Sequence, residues 1–499
     1  MYKNILANLI SRIWSLISVF IFIPLYIHFL GIALFGLVSF FATMQSVLFL
    51  LDAGLSVTLR REFSFGENNG ENKKRKFKLL RSIEFCYLII ITFAIGFSYL
   101  GAGFIVNKWL NIGNINPSIA ITTIRLMGIS IALQFLSTLY YGGLLGLEKQ
   151  IVTNIYQICW SILKNGCVLL ILWLITPDIR LFYLWFIFAD LLYLTILRIK
   201  IYKSLSVDNT YNWKLQELNN LKNIWKYAIG MLTISIISAF NFQLDKITIS
   251  KVLPISELGI YNLAFSLSQL PVILVNAISV AIFPRFVYYF STKDTKKLQR
   301  LFLLSNKILS IFAISVSISM CFYAHELFLF WTRNPELASK AWLPAAILTA
   351  GSMFLTIQIM PFNLALAHGV TKINTFFGLI NLFILIPLLI ILVNNYGITG
   401  AAMAWLLILL ILTPIYNCYV YNKFISNKWF KWFISDTIFP LLFVLSISII
   451  FYKFGTLIKL NSNYTIFYAI ISGIVVLILV LYIFVKNISF QIKQAIEKT

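Results

Sequence analysis

The sequence predicts an all-α polytopic membrane protein with about fourteen transmembrane helices, arranged as two six-helix lobes related by pseudo-twofold symmetry plus two C-terminal helices. Three observations lead there. Hydrophobic residues make up 60% of the 499 and charged ones 11%, with a mean hydropathy of +0.88, more apolar surface than a water-soluble domain of this size can bury. Stretches of about 20 mostly apolar residues, the length that crosses a bilayer, recur along the whole chain. A short motif around Gly36 also returns 223 positions later, around Gly259.

Spans 1 to 6 are expected at roughly 5–30, 36–58, 83–106, 119–143, 152–174 and 180–200. Span 1 is too long for a removable signal peptide and lacks a small-residue cleavage site, so it is expected to remain as an anchor. Asn4, Asn8, Ser11, Arg12, Ser15 and Ser18 recur along it at spacings of three and four, which makes one face polar. Such a face must meet protein or water, not lipid. Span 2 opens on Leu34-Phe35-Gly36-Leu37 and carries Gln45 and Asp52. Arg12 and Asp52 lie within about two turns of one membrane surface, where they can pair at rest and meet a ligand, although Arg12 can equally snorkel to the interface. Arg125 on span 4 lies nearer the outer side of the membrane.

Lys164 sits about twelve residues into span 5 and Asp190 about ten into span 6 from the opposite side, so at about 1.5 Å per residue both lie near the midplane. Each buried charge costs at least about 2.5–3.5 kcal/mol on insertion scales. An ion pair is expected, either as a staple within the lobe or as a substrate or cation site.

Spans 7 to 12 are expected at roughly 226–248, 258–283, 302–330, 343–367, 374–394 and 398–422, and spans 13 and 14 at roughly 434–455 and 465–486. Span 7 repeats the polar face with Ser238, Asn241, Asp245 and Thr248, and span 8 offers Gln269 and Asn276. Four polar faces, two from each lobe, are expected to line a shared cavity; ordinary interhelical hydrogen bonds are the competing reading. Lys246 and Lys307 lie close enough to interfaces to snorkel. The repeat also carries Gly146 and Lys149 onto Gly369 and Lys372. Parallel lobes of this kind give residues 1–203 and 226–422, a cytoplasmic linker at 204–225, and an appendix at 423–499 whose role is not legible.

Net charge is +23, but its placement speaks against nucleic acid. Of the 40 Lys and Arg, seven fall on outer loops and five within spans, with the rest on the inner side. That asymmetry places both termini in the cytoplasm and sets the basic loops against anionic headgroups. The five cysteines fall inside spans at no metal-ligand spacing. There is no phosphate-binding loop, no His/Cys cluster and no large loop to house an active site, so neither an enzyme nor a cofactor or metal is expected.

Ile23-Pro24-Leu25-Tyr26 with Leu30-Gly31, Phe35-Gly36-Leu37, Leu51-Asp52-Ala53-Gly54-Leu55 and Arg60-Arg61-Glu62 resemble the N-terminal hairpin of O-antigen flippases of the Wzx type. Gly143–Gln150 and Leu258-Gly259-Ile260-Tyr261 resemble further recurrent stretches of these polysaccharide transporters. They belong to the multidrug/oligosaccharidyl-lipid/polysaccharide exporter superfamily. The resemblance implies a flippase for undecaprenyl-diphosphate-linked oligosaccharide, an O-antigen or related repeat unit, in the bacterial inner membrane. It implies alternating access with H+ or Na+ coupling, and leaves room for association with a polysaccharide polymerase and chain-length machinery. On that reading Arg12, Asp52, Arg125, Lys164, Asn8, Asn241 and Gln269 are substrate-binding candidates, and Asp52, Asp190 and Asp245 are candidates for the coupling ion. The alternatives are a cation-coupled multidrug antiporter or a lipid II flippase of the same superfamily, and more distantly a membrane polysaccharide polymerase.

Overall fold

A computed structural model describes residues 2–52, 55–64, 70–205, 222–425, 429–457 and 462–497. Helices joined by short loops account for nearly all of them, as expected where lipid offers the backbone no hydrogen-bond partner. Two compact units divide the chain, Met1–Gly259 and Ile260–Thr499.

The first unit holds α1 (Tyr2–Asp52), α2 (Leu55–Ser64), α3 (Gly70–Phe104), α4 (Pro117–Gly146), α5 (Gln150–Ser161), α6 (Cys167–Leu174), α7 (Ile179–Leu205) and α8 (Lys222–Val252). α9 (Ile255–Ser268) begins in it. α1 contains expected span 1 and positions 36–52 of expected span 2, bent at Gly31, whose φ of 76° and ψ of 164° belong to a region open only to glycine. α4 starts where Asn116 accepts a hydrogen bond from the Ser118 amide and Pro117 occupies the first turn. It forms the centre of the unit, with Phe135, Leu139, Tyr140 and Leu144 packed against Leu59 and Phe63 of α2, Leu80 and Tyr87 of α3, and Leu197 and Ile201 of α7. Outward-facing apolar side chains such as Leu100, 84% exposed, form the surface that meets lipid.

Hydrophobic driving force is absent between helices in lipid, so close backbone approach does much of the packing. Gly36 supplies such an approach: a Cβ there would overlap the carbonyl of Ile255. The repeated glycine Gly259 meets it directly, since a Cβ on Gly259 would lie 3.2 Å from the Gly36 nitrogen. The motif recognised as a repeat is therefore also a contact between its two copies.

The second unit continues with α10 (Leu270–Ser291), α11 (Thr295–Phe322), α12 (Ala324–Thr332), α13 (Pro335–Ala367), α14 (Thr371–Phe424), α15 (Trp429–Phe433), α16 (Phe439–Leu457) and α17 (Ser462–Glu497). α14 covers two expected spans and, like α1, turns at a positive-φ glycine, Gly397. Among the described residues eleven helical segments are long and apolar enough to cross a membrane; two of them, Ile13–Phe49 and Lys372–Phe424, hold these two bends. Expected span 7 falls within α8.

The appendix has a legible role here. Val444 of α16 and Val476 and Val480 of α17 join Ile311, Ile314 and Ile318 of α11 and Met353 and Ile357 of α13 in one buried cluster. Asp436, on the π-helical turn Ile434–Ile438, pairs with Lys307 of α11 at 3.2 Å. Lys307 thus reaches a carboxylate inside the protein and does not snorkel. The same correction applies to Lys246, which is buried, pairs with Asp245 at 3.3 Å and donates to the Phe242 carbonyl at 3.1 Å. Replacing Asp436 with Ala leaves Lys307 without its carboxylate, so the C-terminal hairpin is expected to loosen from α11. Limited proteolysis in detergent should then cut ahead of α16 at least several-fold faster than in the parent protein; an unchanged rate would show that the apolar cluster alone holds it.

Candidate functional site

Within the first unit, residues from three segments converge on Asp190 of α7, which is fully buried. Lys164 Nζ lies 3.0 Å from Oδ1 and 3.2 Å from Oδ2. Trp160 Nε1 of α5 donates to Oδ1 at 3.1 Å. Ser130 Oγ and Gln134 Nε2 of α4 donate to Oδ2 at 2.6 and 3.0 Å. Gln134 Oε1 in turn accepts from Gln45 Nε2 of α1. The ammonium of Lys164 also faces aromatic rings, with Phe186 at 4.4 Å and Trp160 at 5.0 Å from the ring centroids.

Lys164 is aimed by a local irregularity. Residues Ile162–Gly166 form a π-helical turn between α5 and α6, and such turns insert a residue into an α-helix and are frequent at functional sites. The insertion rotates the side chains that follow it by about one residue's turn of the helix, which is what lets an otherwise uncharged span present a lysine to α7. With four donors converging on one carboxylate, the pair's desolvation is offset by hydrogen bonds as well as by Coulomb attraction, the condition for charges to persist in a low-dielectric interior. Chemically, a proton or small cation on Asp190 would compete with Lys164, and an anion would compete for Lys164.

The 223-residue offset carries Lys164 onto Pro387 and Asp190 onto Thr413. Thr413 donates to Gln358 at 3.4 Å, so the counterpart in the second unit is a neutral hydroxyl–amide contact. The charged form belongs to the first unit.

The other candidates lie elsewhere. Asp52 is buried at the end of α1, accepts from Ser56 Oγ at 2.8 Å, and leaves Oδ1 without a hydrogen bond among the described residues, while the nearby Thr138 hydroxyl donates to the Phe135 carbonyl. Arg125 is half-buried and lies over the Tyr99 ring at 4.4 Å, with Nε donating to the Tyr99 carbonyl at 3.3 Å. Asn241 donates to the Ile237 carbonyl at 2.9 Å, Gln269 to Ser352 Oγ at 3.4 Å, and Asp245 pairs with its neighbour Lys246. The side chains of Asn8 and Arg12 lie outside the described residues.

Sequence reading named Lys164, Asp190 and Gln45 but missed Ser130, Gln134 and Trp160. Ser130 and Gln134 are four apart on a buried span, with Thr123 and Ser137 on the same helix, a polar periodicity that was available. Trp160 carried no signal, because a lone tryptophan within a span reads as apolar packing.

A family model described as "Polysaccharide biosynthesis protein" matches residues 1–290. A putative O-antigen transporter of Shigella flexneri is 24% identical over 386 residues, 74% of this chain and 86% of that protein. An uncharacterized membrane protein of Methanocaldococcus jannaschii is 29% identical over 219 residues, 42% of this chain, which spans about half (50%) of that relative's length. Among solved structures, the lipid II flippase MurJ in an inward closed conformation matches with a TM-score of 0.73 at 17% identity, covering 98% of this chain and 100% of that one. An inward-facing multidrug resistance MATE family transporter of the MOP superfamily matches with a TM-score of 0.63 at 12% identity, over 84% of this chain and 94% of that one. At these identities the two structures share the fold.

Proposed function

Because the chain belongs to the polysaccharide biosynthesis protein family, we propose that it is a flippase for an undecaprenyl-diphosphate-linked oligosaccharide, an O-antigen or related surface-polysaccharide repeat unit. It moves this cargo from the cytoplasmic to the periplasmic leaflet of a bacterial inner membrane by alternating access, driven by H+ or Na+. The observation that carries the reading is the family match over residues 1–290, which takes in the whole first unit and its buried charge network.

The physics calls for a protein. Each sugar hydroxyl costs about 4–8 kcal/mol to strip of water into hydrocarbon, so a repeat unit does not cross unaided. A polar pathway removes most of that cost while the polyprenyl tail stays in lipid. Arg12, Arg125 and Lys164 suit the diphosphate and acidic sugars; Asn8, Asn241 and Gln269 suit hydroxyls. Asp52, Asp190 and Asp245 are the carboxylates for a coupling ion. At Asp190 the two roles meet: a proton there releases the Lys164 ammonium to the cargo. The positive-inside asymmetry of the loops puts both termini in the cytoplasm, where a polysaccharide polymerase and chain-length proteins would work downstream of the flipped product.

Deletion and complementation test this directly. Cells lacking the protein are expected to lose surface polymer while the lipid-linked intermediate accumulates at the cytoplasmic face, and Arg12→Ala is expected to fail to restore it at normal expression. Polymer made normally in the deletion strain would sink the cargo assignment; full rescue by Arg12→Ala would remove Arg12 from the pathway. The fold match with a lipid II flippase along 98% of the chain favours a second reading, lipid-linked muropeptide as cargo. Growth arrest with lipid II retained inside, in place of glycan loss, would select it.

A further inference from the structure

A second charge cluster lies in the first unit, apart from the Asp190 network. Glu84 of α3 is buried and accepts from Tyr140 Oη at 2.5 Å and from Tyr202 Oη at 2.9 Å. Arg81 Nη1 approaches it at 3.2 Å and Arg198 Nε at 3.7 Å. Both guanidinium groups also pack over the Tyr202 ring, at 5.2 and 5.4 Å from its centroid. One carboxylate, already holding two tyrosine hydroxyls, faces two permanent cations, so the cluster keeps a net positive charge. The two arginine side chains are 36% and 52% exposed, so each is partly open to its surroundings, while Arg81 Nε is buried with no hydrogen-bond partner among the described residues.

The surroundings add to the excess. Lys200 and Lys203 follow Arg198 on α7, and Lys149, in the loop before α5, donates to Ser204 Oγ at 2.5 Å. Burial, and then the charge of Lys200, pull the Lys149 ammonium below its ordinary value. The repeat shows what compensation looks like: the 223-residue offset carries Glu84 onto Lys307, and there the C-terminal hairpin supplies Asp436. Beside the arginines, Leu88 and Ile89 of α3 and Ile196 and Ile199 of α7 are exposed apolar side chains, so a charged surface and a lipid-facing one adjoin on the same two helices.

We propose that Arg81 and Arg198 form a binding site for the phosphate of an anionic phospholipid headgroup, with the acyl chains lying along the exposed apolar faces of α3 and α7. Guanidinium pairs match phosphate oxygens in geometry and charge, and basic clusters at a membrane boundary attract anionic headgroups. The cluster is a lipid anchor of the first unit, separate from the cargo pathway.

The full-length protein in detergent, titrated with short-chain phosphatidylglycerol and read by native mass spectrometry, tests this without any transport, so its failure leaves the cargo reading standing. Wild type is expected to retain phosphatidylglycerol at least about tenfold more tightly than Arg81→Gln/Arg198→Gln, given the roughly 1 kcal/mol that each basic residue contributes near an anionic surface. Phosphatidylcholine should not distinguish the two proteins. Should the double variant fail to fold, Arg198→Gln alone, which keeps the Arg81–Glu84 pair, is expected to lose about threefold or more. Equal retention of phosphatidylglycerol by the folded variant would overturn the site. So would displacement of the lipid by inorganic diphosphate at equal concentration, which would assign the arginines to a free phosphate.

Discussion

Asp190→Ala is expected to cost about 3–5 kcal/mol of folding stability, because it leaves the Lys164 ammonium buried and uncompensated. The loss should be read as a lower thermal midpoint of the detergent-purified protein. All four donors that converge on the carboxylate, Ser130, Gln134, Trp160 and Lys164, lose their acceptor at once. The informative partner is the double variant Lys164→Met/Asp190→Leu. Replacing a whole buried pair with apolar side chains of similar volume is often neutral for folding, so most of the stability should return. Flipping, measured as surface polymer in complemented cells, should not return if the pair is part of the transport cycle. A double variant that folds and transports normally would reduce the pair to a staple within the lobe.

Gly36→Val is expected to be the most damaging single change outside that network. The new Cβ would overlap the backbone carbonyl of Ile255, and Gly259 already packs against the Gly36 backbone. A backbone carbonyl cannot rotate away as a side chain can, so the cost should reach or exceed the upper end of the ~1–3 kcal/mol typical of overpacking. Fluorescence-detected size exclusion should show loss of the monodisperse peak. The control is Gly96→Ala, where the added methyl meets open space. That change should leave the peak intact and be neutral or slightly stabilising, since alanine is the better helix former. Similar behaviour of the two variants would mean that the glycine contact does not hold the unit together.

The two halves of this molecule's logic were unequally legible. Membrane insertion and the repeat could be read from residue order, because each is a one-dimensional property: the length of an apolar run, a motif at a constant offset. Depth could be read too. Counting residues from the ends of two spans placed Lys164 and Asp190 at one level, since a helix advances a nearly constant distance per residue.

Azimuth could not be read. Whether Lys164 faces α7 or lipid depends on the rotational phase of its helix, and the π-helical turn at Ile162–Gly166 resets that phase in a way no apolar pattern records. The convergence of Ser130, Gln134 and Trp160 needs three helices at fixed rotations. The assignment of Asp436 to Lys307 needs the C-terminal hairpin docked on α11. For this chain the sequence by itself determined the class, the repeat and the depth of its charges, because those follow from position along one axis. Tertiary structure decided which charges meet, because partners 26 to 129 residues apart are chosen by helix packing, and a single inserted residue turns a side chain from lipid to protein.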